Sequence, residues 1–310
     1  MNIVSLLPSV TEIVCSLGLR NALVGRSHEC DFPEDVLSLP AVTKTSYPEQ
    51  RSGRETDQTV REIVSSGLSP FEADPDLLRR LEPDIIITQD HCEVCAISID
   101  RLKAETKSYL ENADVDLLSV SPSSLQEIMD SITDIGHVLN VPDRAANLVT
   151  ELSERLNIIR QTVQGEPEKS AVTLEWISPL MTAGNWVPEL IEIAGGDDLI
   201  GIPGDHSPWI DFDAVRESDP DYLLIMPCGY SIQDTMNEFE ALERTDGWVD
   251  LKAVREQQVY LLDGSQFFNR PGPRIYDSAR ILAEIFHPNL FQPLYKGTGW
   301  IPAGHSVAVP

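Results

Sequence analysis

One run of 22 residues constrains this chain more than any other. From Asp143 to Gln164, apolar residues recur at Ala145, Leu148, Leu152, Leu156, Ile159 and Val163, at spacings of three and four. That is the pattern of a helix with a single buried stripe. At 1.5 Å per residue such a helix reaches about 33 Å, and Gly165-Glu166-Pro167 ends it. A rod of that length can bridge two domains; the alternative is that it packs along one face of a single sheet.

On both sides of it, short apolar runs alternate with helical patterns. Strands are expected at Asn2–Leu7, from Leu23, at Ile85–Thr88 and at Val115–Val120 before the long helix, and at Ala171–Ile177, Tyr222–Met226 and Val259–Leu262 after it. Ser9 is expected to cap a helix that runs to Leu17 and stops at Gly18. This alternation favours an α/β fold with a mainly parallel sheet and helices on its faces. The second half repeats the first: FDAVRESDPDYLLIMPC resembles PDLLRRLEPDIIITQDHC, which would set Cys92 and Cys228 on corresponding strand ends. We divide the chain into 1–140, the connecting helix 141–166, 167–290, and a Gly- and Pro-rich stretch 291–310 expected to be an extended tail.

Charge narrows the partners. Fifty acids against 23 bases give a formal net charge of -27, which argues against nucleic acid and against insertion into anionic membranes. Such a surface suits a protein kept soluble in a salt-rich cytoplasm, or is ordinary acidic decoration. Five cysteines form no evident disulfide framework. The first residues lack a basic leader, Pro8 and Glu12 interrupt their apolar run, and no stretch approaches ~18 uninterrupted apolar residues. The expectation is a cytoplasmic monomer, with a periplasmic or other extracytoplasmic location as the alternative if a leader precedes residue 1.

Thiols and imidazoles supply the candidate chemistry. His28 and Cys30 lie in a loop after the second strand, and His91, Cys92 and Cys95 in the loop after Ile85–Thr88. Ligands collect at the carboxyl ends of strands in open α/β sheets. Thiolate and imidazole are preferred donors for Zn and other borderline metals, Fe among them, and Cys92 and Cys95 have chelating spacing. A redox or ligand-contacting role and plain burial are the alternatives. Acidic Asp90 and Glu93 beside the thiols disfavour redox catalysis. In the second half, Trp186 and Trp209 sit in Gly-, Asn- and Pro-rich loops where an indole can face a planar ligand or plug its own lobe. His206, close to Trp209, is a further candidate. Phe268 and Arg270, between a strand and a helix, are placed to face a cleft, while the neighbouring Pro271 and Gly272 form the turn. GxSxG, P-loop, HExxH and GxGxxG patterns are missing, so the hydrolase, nucleotide and protease readings lack support.

Taken in order, SLLPSVTEIVCSLGL, VGRSHECDFP, PDIIITQD, the long helix, AGNWVPELIEIAGG and NRPGPRIYDSARILAEIFHP resemble the vitamin B12-binding and siderophore-binding solute receptors of ABC importers, over residues 1 to about 290. The resemblance implies two doubly wound, Rossmann-like α/β lobes joined by one long helix. It places a corrinoid such as cobalamin, or a related metal chelate, in a cleft between the lobes. It also implies that Trp209 lines that cleft and that Asp213 lies near an acidic residue that engages the permease. The HEC and CEVC loops depart from the usual receptor pattern and look like those of a leaderless subgroup. The alternative is an intracellular metalloprotein or metalloenzyme on the same fold, with Cys30, Cys92 and Cys95 holding a metal.

Overall fold

The computed structural model describes residues 1–47, 52–66, 70–89 and 115–304. They form two compact units, Met1–Pro122 with Gln126–Val149, and Ser123–Leu125 with Thr150 onward.

In unit 1 the chain runs through β1 (Ile3–Ser5), α1 (Pro8–Ser16), β2 (Leu23–Arg26), β3 (Thr43–Thr45), α2 (Gly53–Ser65), β4 (Phe71–Ala73), α3 (Pro75–Leu81), β5 (Ile85–Thr88) and β6 (Asp116–Ser119). It continues into α4 (Leu125–Val138) and α5 (Pro142–Val163). The main sheet has the order β2-β1-β5-β6 and is parallel throughout. β5 is buried along its whole length, as a strand covered on both faces must be. Beneath one face Val4, Leu6, Phe71, Leu78 and Ile86 close a core. The start of α1 differs from expectation. Ser9 makes no cap; Pro8 opens the helix, its fixed φ and missing N–H being suited to a first turn. Gly18 (φ +73°) ends the segment as expected.

The long helix α5 buries the stripe its spacing predicted. Ala145, Leu152, Leu156, Ile159 and Val163 are buried, Leu148 is half-buried, and Ile158, off the stripe, is exposed. Its first two turns count with unit 1 and the rest with unit 2. In unit 1, Arg144 Nη1 donates to the Leu17 carbonyl at 2.9 Å. In unit 2, the Arg155 guanidinium lies 3.7 Å from the Tyr276 ring centroid, a cation–π contact.

Unit 2 continues with β7 (Lys169–Leu174), α6 (Val187–Ile193), β8 (Gly196–Asp198), α7 (Phe212–Ser218), β9 (Tyr222–Ile225), α8 (Ile232–Glu243), α9 (Lys252–Arg255), β10 (Val259–Leu262), α10 (Ile275–Phe286) and β11 (Trp300–Pro302). Its sheet has the order β11-β10-β9-β7-β8, parallel except for β11. Residues 291–304 are therefore not the extended tail expected from their Gly and Pro content. They return as an antiparallel edge strand, because Leu294 N, Tyr295 N and Trp300 Nε1 all find the buried carboxylate of Glu284 on α10.

The repeat read from the sequence is real in local geometry. α3 and α7 are both seven residues long, and each is capped by an aspartate, Asp74 accepting from Leu77 N and Asp211 from Ala214 N. Each stops at an acidic residue in the left-handed region, Glu82 (φ 46°) and Asp219 (φ 39°), before a proline and a buried strand. The parallel sheets correspond strand for strand, β2-β1-β5-β6 against β8-β7-β9-β10. In each the strand order reverses between the inner two, β1 and β5 or β7 and β9, and it is outside the carboxyl ends at that reversal that doubly wound folds take ligands.

Candidate functional site

At the reversal point of unit 2 the chain leaves β7 at Glu175. Glu175 N and Trp176 N both donate to the Met181 carbonyl, at 2.8 and 3.2 Å. Two residues thus oppose one, a β-bulge that ends the strand and re-aims its side chains. Glu175 Oε2 accepts from Ser207 Oγ at 2.6 Å, and Oε1 lies 3.4 Å from Asn269 Nδ2. Ser207 Oγ in turn accepts from Gly184 N at 3.1 Å. Gly184 permits this approach, because a Cβ there would meet the Asp205 carbonyl oxygen at 2.4 Å. Burial pushes the Glu175 carboxyl pKa up; the Ser207 hydrogen bond and nearby His206 pull the other way.

Asn269 ties three strand ends together. Beyond Glu175 it serves Gly229, whose N–H it accepts at 3.2 Å, in the loop after β9. Asn269 itself follows a π-helical turn, Gly264–Phe268, after β10, the kind of irregularity that recurs at functional sites. Gly264 is needed in that turn: a Cβ would fall 2.2 Å from the Pro227 carbonyl oxygen. Tyr230 packs edge-on against Trp176, ring centroids 5.4 Å apart, and its hydroxyl donates to Glu238 at 3.1 Å. Two further bridges extend the bulge into a short antiparallel ladder, Trp176 opposite Met181 and Met181 opposite Trp209.

Of the residues singled out by sequence, Trp209 (51 % exposed) and His206 lie on the open side of this constellation. His206 Nδ1 is 3.0 Å from the Ser207 carbonyl. Trp186 takes the other alternative and plugs its own unit: it is buried at the N-terminus of α6. Phe268, the last residue of the π-helical turn, has no exposed surface and Arg270 is buried, so neither side chain presents an open face. Cys228, at the corresponding end of β9, is half-buried. Asp213, in the first turn of α7, is exposed and paired with Arg216 at 2.8 Å.

In unit 1, His91, Cys92 and Cys95 lie outside the described residues. His28 Nδ1 is 2.8 Å from Thr43 Oγ1, and its ring lies against Phe71. Cys30 is fully buried, with the Thr11 hydroxyl 3.0 Å from Sγ. Among the described residues no group of three or more His, Cys, Asp or Glu side chains is placed to hold a metal ion.

Glu175, Trp176, Met181, Tyr230 and Asn269 escaped the sequence reading. Carrying the strand to Ile177 hid Glu175 and Trp176 inside it, whereas β7 ends at Leu174. The sheet-end rule, applied one turn earlier, points at both.

The model of the family described as periplasmic binding protein matches residues 3–265. An uncharacterised ABC transporter substrate-binding lipoprotein of Bacillus subtilis is 26% identical over 301 residues, covering 94% of this chain and 81% of its own. A periplasmic heme-binding protein from Pseudomonas aeruginosa superposes with a TM-score of 0.68 at 21% identity, covering 93% of each chain. The periplasmic vitamin B12-binding protein of Vibrio cholerae gives 0.62 at 20% identity, covering 92% of this chain and 95% of that one. These similarities establish the two-lobed α/β fold. They lend no support to the metalloenzyme alternative or to a cytoplasmic location, the three being named as a substrate-binding lipoprotein and as periplasmic binding proteins.

Proposed function

The chain belongs to the periplasmic binding protein family, and from that premise we propose that it captures a metal-bearing tetrapyrrole, heme or a corrinoid, and delivers it to an ABC permease. The observation that carries this reading is the open end of β7. There Trp209, half exposed, and Trp176 share one short ladder beside the half-buried carboxyl of Glu175. Indole faces suit a flat macrocycle, and a few fixed polar groups around them suit its rim. The relatives named for heme and for vitamin B12 support the ligand class, and the substrate-binding lipoprotein supports the transporter. Asp213, exposed on α7, offers a carboxylate to the permease, so that reversing its charge slows transport while leaving ligand affinity unchanged.

Titration of the full chain with hemin and with hydroxocobalamin, followed by absorbance and calorimetry, tests the reading. One equivalent of either bound with micromolar or tighter affinity is the expected result. Binding of neither would overturn it.

A further inference from the structure

The ladder beyond β7 sets three side chains in a row. Trp176 and Met181 exchange N–H···O=C bonds at 3.2 and 3.1 Å, which makes them a hydrogen-bonded pair of an antiparallel ladder. Met181 and Trp209 are flanked by Thr182 N to Pro208 O at 3.2 Å and Ile210 N to Leu180 O at 3.0 Å, which makes them a non-hydrogen-bonded pair. Residues directly opposite in such ladders share a face, with Cβ atoms about 4.5–5.5 Å apart. Met181 therefore sits between Trp176 and Trp209 in a row about 10 Å across. This row is not core. Trp209 is 51 % exposed, and Met181 and Trp176 are half-buried. Tyr230 closes the Trp176 end, and Trp176 Nε1, shielded from solvent, meets no hydrogen-bond acceptor among the described residues.

We propose that Met181 is an axial ligand to the metal of the bound tetrapyrrole, with Trp176 and Trp209 packing against the macrocycle on either side of it. The inference rests on the binding role proposed above and narrows its ligand. A thioether is a soft, neutral donor of the kind that ligates heme iron. It has little to offer a ferric siderophore, whose hard oxygen donors already fill the metal's coordination sphere, and it needs an open axial position, which an iron porphyrin provides. In the step itself the Met181 sulfur lone pair displaces a labile axial ligand such as water; the oxidation state of the metal does not change. The free Trp176 N–H is then a donor for a carboxylate on the rim of the macrocycle.

The test compares wild type with Met181→Leu, a volume-conserving change that preserves the fold, and with Trp176→Phe, in titrations with hemin, hydroxocobalamin and a ferric trihydroxamate. Wild type is expected to bind hemin in preference to the other two. Met181→Leu is expected to weaken hemin binding about tenfold or more, to shift the Soret maximum and to remove the thioether-to-iron charge-transfer band. Trp176→Phe is expected to weaken binding without removing that band. Hemin bound by Met181→Leu with wild-type spectrum and affinity would overturn the axial role and leave the binding role standing. So would a preference for hydroxocobalamin that the Met181 change does not touch. A preference for the trihydroxamate would overturn the tetrapyrrole assignment as well. Failure of wild type to bind any of the three would overturn the binding role itself.

Discussion

Trp300 donates its indole N–H to the carboxylate of Glu284 at 3.0 Å, across sixteen residues of chain. The same buried carboxylate accepts from Leu294 N at 3.0 Å and Tyr295 N at 3.1 Å, and pairs with Arg280 Nε at 3.2 Å. One side chain thus fastens the chain after α10 to that helix and holds β11 against β10.

Replacing Glu284 by alanine leaves the buried Trp300 N–H and the two part-buried backbone N–H groups without this acceptor, and leaves Arg280 with only the Gln292 carbonyl and the Phe291 ring. Loss of one member of a buried charged network costs about 3–5 kcal/mol. We expect a loss of that size in urea unfolding, and earlier proteolytic cleavage after Phe291 than anywhere else in unit 2. Unchanged proteolysis would mean that β11 is held by its ladder alone.

Gly264 separates steric need from conformational freedom. A Cβ there meets two backbone carbonyl oxygens, of Pro227 at 2.2 Å and Met226 at 2.7 Å, and neither can rotate away. Gly297 has a left-handed φ of +92° with nothing within 4 Å of a Cβ. Gly264→Ala is expected to cost several times more than Gly297→Ala, for which backbone strain of about 1–3 kcal/mol is the whole effect. Equal losses in thermal unfolding would show that the loop after β10 can shift.

His287 should make acid destabilising. It ends α10 buried rather than as the exposed cation that a helix C-terminus favours, and burial holds its pKa below the usual histidine value. The unfolded chain then binds a proton near pH 6.5 that the folded chain resists, so this group's contribution is present above that pH and is lost as pH falls through it. His287→Gln is expected to flatten the fall in stability between about pH 7.5 and 5.5. The difference between the two proteins isolates this group from the carboxylates, whose titration is common to both.

The parts legible in the sequence were those set by periodicity and short-range punctuation. The stripe of α5 was readable because burial repeats every three or four residues, and the strand Ile85–Thr88 because it is apolar throughout. The α3–β5 and α7–β9 likeness was readable because Asp caps and Pro-Asp turns are local. What could not be read was long-range pairing. Glu284 with Trp300, and Glu175 with Ser207 and Asn269, join residues whose partners no period announces. The aromatic row was hidden for a related reason: Trp176, Met181 and Trp209 become neighbours only through a bulge and two bridges. The thiol of Cys30, conspicuous in the sequence, is buried in the fold.

Asn269 tests whether the site depends on the clasp between strand ends. Its amide accepts from Gly229 N and faces Glu175 Oε1, yet it forms no part of the aromatic row. Asn269→Ala frees both the exposed loop after β9 and the half-buried carboxylate after β7, at about 1 kcal/mol for the hydrogen bonds lost. Asn269→Asp keeps the acceptor for Gly229 but sets a second carboxyl against Glu175, which raises that pKa further. We therefore expect Asn269→Ala to weaken hemin binding at all pH values, and Asn269→Asp to weaken it increasingly as pH rises, because both carboxyls are then driven to ionise. Binding by Asn269→Asp with the pH profile of wild type would show that Glu175 does not depend on Asn269.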